Sequence, residues 1–153
     1  HDFYGRGEPY LKKWTDIGRD NLAERGNNTD TQIPIYRYAE ILLFIAEAEN
    51  EANSGPTPEA YLAINEVRER AGIDPLSGLG QEQFREAVRK EREFELAFEL
   101  KRFYDIKRWD IFMEVFTEYP NSQGNVQEHH VYYPIPQREI QLNPGLGPNE
   151  GYN

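Results

Sequence analysis

Residues 34–72 decide the fold, and they read PIYRYAEILLFIAEAENEANSGPTPEAYLAINEVRERAG. The first half is apolar on nearly all sides of a helical wheel. We therefore expect a helix from Pro34 to about Asn53 that is central and covered by its neighbours. The second half opens with Thr57 as N-cap and keeps one apolar face until Gly72, a good helix stop. The Ser-Gly-Pro turn between the halves is short, so the two helices are predicted to form an antiparallel hairpin.

The rest of the chain is predicted to be helical only in its middle. Residues 81–116 have a helix-like sequence throughout, but so long a run requires a break, which we place at residues 99–101 to give helices three and four. Residues 1–33 read as an irregular segment that could contain a short strand. The C-terminal part is predicted to be irregular, with residues 132–136 extended because of their prolines. The sequence thus predicts a mainly α fold of about four helices in tetratricopeptide-like hairpins.

Composition excludes several classes of function. The chain has 153 residues, a formal net charge of −10 and no cysteine. Nucleic-acid binding requires a concentrated positive field, which this composition does not supply. Disulfides, zinc-thiolate sites and thiol catalysis are excluded by the absence of cysteine. No apolar run is long enough to span a bilayer. The chain opens at His1 without signal peptide or lipid-attachment cysteine, so we interpret it as a fragment of a larger protein.

Two glutamates on the predicted third helix are the strongest candidates for chemistry. Glu91 and Glu95 fall inside its apolar face, where like charges four residues apart repel and half-buried charge is costly unless paired. They could be the acid pair of a glycosidase. We favour a structural ion-pair lattice between helices, because a helix-packing surface provides no cleft, and we predict no catalytic residue. The predicted members of the lattice are Arg37, Glu40, Glu47, Arg68, Glu91, Glu95, Arg102 and Arg108.

Metal and sugar sites receive weaker support from the sequence. The three histidines are His1, His129 and His130, and none falls in a predicted helix, which excludes a di-iron bundle. Adjacent histidines in a polar loop are more often solvated than metal-bound, so no metal and no cofactor is predicted. Exposed aromatic rings in loops could stack against sugars. The candidates are Tyr4, Trp14 and Tyr119, whereas Tyr132 and Tyr133, beside prolines, are expected to pack onto the helices.

Four groups of motifs occur in order along the chain. Residues 37–48 read RYAEILLFIAEA, and residues 64–72 read INEVRERAG. Residues 91–109 contain EREFELAFE followed by RFYDIKRW, and the C-terminal part contains YPIP at residues 133–136 and NEGY at residues 149–152. Together these motifs resemble those of the SusD/RagB family, and the resemblance covers about residues 33–153. Leu100 stands where the family usually has glycine, and Pro148 and Glu150 depart from its closing motif.

The resemblance implies a function as well as a fold. It implies that residues 34–153 are the C-terminal helical domain of a surface-exposed outer-membrane lipoprotein, held to the membrane only through a lipid anchor outside this fragment. It also implies nutrient uptake: an oligosaccharide or polysaccharide is captured and passed to a SusC-like, TonB-dependent transporter, without catalysis. Family glycan sites lie largely upstream of this region, so no glycan-binding residue is carried over. The alternatives are a helical-hairpin scaffold that grips another protein and, with less support, a glycoside hydrolase.

Overall fold

The chain is mainly helical, which confirms the predicted fold class. The computed structural model describes residues 34–152 together with Lys13. In this part of the chain six α-helices follow one another: α1 Tyr38–Ala52, α2 Pro58–Ala71, α3 Gln81–Glu95, α4 Arg102–Arg108, α5 Phe112–Glu118 and α6 Gln137–Leu142. A 3-10 turn, Glu128–Val131, lies between α5 and α6. The expectation of an irregular or partly extended segment at residues 1–33 falls outside the described residues.

The first two helices form the predicted hairpin, with one correction. Helix α1 begins at Tyr38 and not at Pro34, because Arg37 is extended (φ −141°, ψ 160°). Helix α2 is capped as predicted: the Thr57 hydroxyl accepts a hydrogen bond from the Ala60 amide at 3.1 Å. Gly72 ends the helix in the left-handed region, at φ 72°.

Helices α2 and α3 both run antiparallel to α1 around one apolar core. The hydroxyl of Thr57, at the start of α2, donates to Glu49 near the end of α1 at 2.9 Å. Asn50, also near the end of α1, donates to the Gln81 carbonyl at the start of α3 at 3.1 Å. The buried core comprises Ala39, Leu42, Leu43, Ala46, Ala60, Ala63, Ile64, Val67, Phe84 and Val88.

Helix α1 is not covered on all sides by the described residues, contrary to the sequence prediction. Ile41 is 44% exposed and Ile45 is 42% exposed. Both lie on the side of the helix that faces away from the apolar core. The sequence could not reveal this, because a wheel shows where apolar residues point and not whether a neighbour is present.

The second half of the helical run breaks twice, whereas the sequence predicted one break. Helix α3 ends at Glu95, and residues 96–101 form a turn in which Phe98 and Leu100 have φ values of 64° and 61°. The second break separates α4 from α5 at Asp110, whose φ is 57°. It was missed because no glycine or proline marks it. Helix α6 was also missed, so about four predicted helices become six among the described residues.

Candidate functional site

Many charged residues of the four motif groups lie close together, where the ends of α1, α3 and α4 meet. Glu95 closes α3 and Glu99 lies in the turn that follows. Arg37 precedes α1 and reaches both: its Nη1 lies 2.5 Å from Glu95 Oε1, and its Nε lies 2.8 Å from Glu99 Oε2. Arg70 of α2 contacts the second oxygen of Glu95 at 2.5 Å. Lys13 pairs with Glu99 and also donates to the Ala97 carbonyl at 3.0 Å.

The side chain of Glu99 is almost completely enclosed, with only 1% of it exposed. Burial by itself would raise the pKa of this carboxyl, but hydrogen bonds from Arg37 and Lys13 outweigh it and hold the pKa below the usual range. The carboxylate is therefore kept ionised, and it ties the turn after α3 to the residue that precedes α1.

A second group of charges joins α4 to α1 and α3. Arg92 of α3 makes two parallel hydrogen bonds to Asp105 of α4, at 3.0 and 2.9 Å, and both side chains are buried. Arg108 also donates to Asp105, at 2.9 Å. The Lys101 ammonium lies 3.0 Å from the buried carboxylate of Glu40 on α1. The two parallel bonds between Arg92 and Asp105 fix the relative direction of α3 and α4 as well as the distance between these helices.

Glu47 of α1 completes this second group. Its oxygens accept hydrogen bonds from Arg108 at 2.5 and 2.7 Å and from the Trp109 indole at 2.7 Å. Burial would raise the pKa of Glu47, but these hydrogen bonds lower it below its ordinary value. The group contains three carboxylates, Glu40, Glu47 and Asp105, against three cations, Arg92, Lys101 and Arg108, so its formal charges cancel.

The remaining predicted lattice residues lie apart from these two groups. Arg68 of α2 pairs with Glu91 of α3 at 2.8 Å, with both side chains mostly enclosed. Arg102 differs from the prediction, because its contact is Glu93 at 3.4 Å and both side chains are more than one-third exposed. Glu91 and Glu95 thus each face arginines of other segments. Both line a concavity of about 600 Å³. A glycosidase needs two acids free to reach a substrate, whereas these two carboxylates are engaged by arginines.

The ion pairs include residues that were not among the predicted lattice members. Arg92, Glu99, Lys101 and Asp105 are all central to the contacts described above. One signal was present in the sequence: Asp105 and Arg108 are three residues apart, a spacing that brings side chains together on one helix face. The bonds from Arg92 and Lys101 could not be found in this way, since they join different segments.

Of the three candidate sugar-stacking aromatics, Tyr119 lies in the part of the chain that the structure describes. Tyr4 and Trp14 lie outside the described residues. Tyr119 is exposed just after α5. Tyr132 and Tyr133, which were expected to pack onto the helices, are 65% and 71% exposed. Tyr133 still contacts Phe103, with ring centroids 5.5 Å apart.

A concavity of about 680 Å³ lies at the C-terminal end. Its lining mixes amides, carboxylates and aromatic rings: Gln127, Glu128, His129, Tyr132, Asn149, Glu150 and Gly151. Two hydrogen bonds hold its walls together, from the Tyr152 hydroxyl to the Tyr132 carbonyl at 2.6 Å and from the Asn149 amide to the Tyr133 carbonyl at 2.8 Å. This concavity could not be predicted from the sequence, because its two walls are about 20 residues apart.

The two described histidines pack against each other and against Tyr152. Their ring centroids are 4.1 Å apart, and the His129 ring lies 4.8 Å from that of Tyr152. Within residues 34–152, no cluster of three or more His, Asp or Glu side chains has a geometry that could hold a metal ion. The same part of the chain contains no helix long and apolar enough to cross a membrane.

Comparison with known proteins identifies close relatives. The sequence model of the SusD family matches residues 3–152. SusD-like protein P25 of Formosa agariphila is 42% identical over 158 aligned residues, which cover 94% of this chain and 29% of the relative. SusD-like protein P2 of the same organism is 41% identical and covers 85% of this chain and 28% of the relative. The chain therefore spans less than one-third of the length of these relatives.

Solved structures give the same result for the fold. A SusD homologue from Bacteroides thetaiotaomicron superposes with a TM-score of 0.67 at 33% identity, covering 84% of this chain and 30% of that one. A SusD-like carbohydrate-binding protein from Bacteroides fragilis superposes with a TM-score of 0.59 at 33% identity, over 74% of this chain and 28% of the other. From the family match, these relatives and the shared helical fold, we conclude that this chain belongs to the SusD family.

Proposed function

We propose that this chain is the helical scaffold of a non-catalytic protein that binds an oligosaccharide or polysaccharide for import. One observation carries the proposal: the charged side chains of the motif groups bond to one another between helices, so that each of these carboxylates is engaged by a cation of another segment. Carboxylates held ionised by arginines are poor general acids. They are well suited to fixing the relative position of helices that support binding loops elsewhere in the protein.

The proposal extends to location and partner. We infer that the full-length protein is a lipoprotein on the outer surface of the outer membrane, attached through a lipid anchor outside these 153 residues. There it passes captured glycan to a SusC-like, TonB-dependent transporter. Support comes from membership of the SusD family and from the carbohydrate-binding designation of a structural neighbour. Copurification of the full-length protein with its transporter, followed by uptake assays in cells lacking it, tests this part.

Glycan binding is tested by titration calorimetry with a panel of oligosaccharides, using this chain and the full-length protein in parallel. We expect clear binding by the full-length protein and weak or no binding by the chain alone, with no reducing ends released by either. Saturable binding by the chain that Tyr119→Ala or Tyr132→Ala removes would place the glycan site within these residues. Glycoside hydrolysis that Glu91→Gln abolishes would contradict the non-catalytic proposal.

A helical scaffold for binding another protein is the second candidate. The observation that favours it is the exposed apolar side of α1, which a scaffold with no further partner would not need. Titration with a glycan and titration with a protein partner measure the two functions separately.

A further inference from the structure

Helix α1 carries two apolar stripes, and only one of them belongs to the core. The second comprises Tyr38, Ile41, Ile45, Ala48 and Ala52, all of them exposed among the described residues. Their spacings are three, four, three and four residues. On a helix this spacing produces a narrow, straight seam, the pattern with which one helix packs along another. We refer to these five residues as the α1 stripe.

The neighbouring face of α2 is acidic. Glu59, Leu62, Glu66 and Glu69 repeat with the same three- and four-residue spacing, and all four are exposed. The hydroxyl of Tyr38 lies 3.3 Å from Glu66, which places this row of α2, called here the α2 rim, beside the α1 stripe. Within residues 34–152, none of the three glutamates of the rim forms an ion pair. In the described part of the chain, the hairpin therefore presents an apolar seam with negatively charged side chains along one side.

We propose that the α1 stripe and the α2 rim together bind an amphipathic helix. The occupant has an apolar ridge with three- and four-residue spacing toward α1, and Lys or Arg side chains along the flank that faces α2. The 15 residues of α1 give a seam about 22 Å long, enough for about four turns of the bound helix. The spacing specifies a helix, and the charge of the rim specifies the sign of its flank. This inference does not depend on glycan binding.

The opposite edge of the α1 stripe limits where such a helix can lie. Phe44 borders the stripe there, and the guanidinium of Arg92 lies 4.5 Å from the centre of its ring. Arg92 is itself bonded to Asp105, so this edge is fixed by the charges that join α3 to α4. The bound helix is therefore expected to lie along the α1–α2 hairpin and not across α4.

The probe is a fluorescein-labelled synthetic peptide of about 18 residues, with leucines on the ridge and lysines on both flanks, titrated with the 153-residue chain by fluorescence anisotropy. We expect saturable binding that weakens as salt is added, because the flank contacts are exposed ion pairs. The double variant Ile41→Glu/Ile45→Glu should lower the affinity at least about tenfold, since these two residues form the centre of the seam. Circular dichroism should show that its fold is intact, because both positions are partly in solvent.

Matched controls distinguish binding at the α1 stripe from non-specific binding. Leu142→Glu changes an exposed leucine of α6, outside the α1 stripe, and should leave the affinity unchanged. The triple variant Glu59→Gln/Glu66→Gln/Glu69→Gln should bind more weakly than the parent and lose most of the salt dependence. A peptide with glutamates on its flanks should bind less tightly than the lysine peptide.

Three results would overturn the proposal. The first is an absence of saturable binding by the lysine peptide. The second is affinity that Ile41→Glu/Ile45→Glu leaves unchanged. The third is self-association of the chain in sedimentation velocity that the same double variant abolishes, because the stripe would then be an interface between two copies of this chain.

Discussion

The bundle of α1, α2 and α3 and the region of residues 96–152 are held together in different ways. In the bundle, a continuous apolar core runs from Ala39 to Val88 and contains the fully buried Phe84 and Ile64. In the C-terminal region, the buried apolar side chains are few: Leu96, Ile106 and Phe112. The buried charged side chains Glu99 and Asp105 contribute to holding this region together.

The difference indicates which forces hold each region. Apolar packing contains no titrating group, and its loss costs free energy that increases with the cavity that remains. Buried ion pairs are directional, so they fix the orientation of short helices, but they contribute little net free energy until one partner is removed. Helix α4 has only seven residues, too few to be stable by itself, and it is held by such contacts through Asp105.

The largest effect is expected from the core of the bundle. Phe84→Ala should lower the free energy of unfolding by about 3–5 kcal/mol, because it removes a fully buried ring that packs edge-on against Tyr61. Phe94→Ala, at an exposed position of the same helix, is the control and should change stability little. Urea denaturation measures both, with Phe84→Leu as a milder variant if the alanine protein does not fold. Equal effects at the two positions would contradict the core described above.

The C-terminal region should be most sensitive at its buried ion pair. Asp105→Asn should cost about 3 kcal/mol, the low end for breaking a buried pair, because Glu40 remains 3.9 Å from Arg92. Asp110→Asn makes the same chemical change at an exposed site and serves as the control. If Asp105→Asn unfolds as the parent does, apolar contacts and not charge hold α4 in place.

Acid should weaken the connection between the two regions. The pKa of Glu47 is lowered in the folded chain, so its contribution to stability is present above the unfolded pKa of about 4.3 and is lost as the pH falls through the folded value. Because Arg108 is partly exposed, we expect at most about 1 kcal/mol from this pair. Melting temperatures between pH 7 and pH 3 should therefore fall less steeply for Glu47→Gln than for the parent. Glu118→Gln, on the surface of α5, should follow the parent.

The smallest effect concerns the turn between the two regions. Leu100 is left-handed and 80% exposed, so its side chain contributes little while its backbone is strained. Leu100→Gly removes the strain at some cost in chain entropy, and we expect a net gain of up to about 1 kcal/mol. Leu142→Gly is the control, because this exposed leucine lies in a helix, and it should destabilise. A loss of stability in Leu100→Gly would mean that the leucine side chain makes a contact that outweighs the strain.

Much of the fold could be read from the sequence, and the site only in part. The Thr57 cap, the Gly72 stop and the break after α3 were predictable, because each depends on residues next to one another. The break at Asp110 was not, because a single residue can adopt the left-handed region without a glycine. For the ion pairs, the sequence indicated that Glu91 and Glu95 need arginines, since buried charge requires a partner. It did not indicate that Arg70 and Lys13 would also take part.

The sequence by itself determined the family and the helical hairpins, because helix periodicity, caps and motif order are properties of neighbouring residues. Only the tertiary structure decided which charges meet. The pairing of Arg37 with Glu99 or of Arg108 with Glu47 joins segments about 60 residues apart, and it depends on how the helices end and turn. The tertiary structure also decided that the described residues leave one side of α1 open. The sequence of a helix with two apolar stripes does not show whether the folded chain buries both stripes or only one.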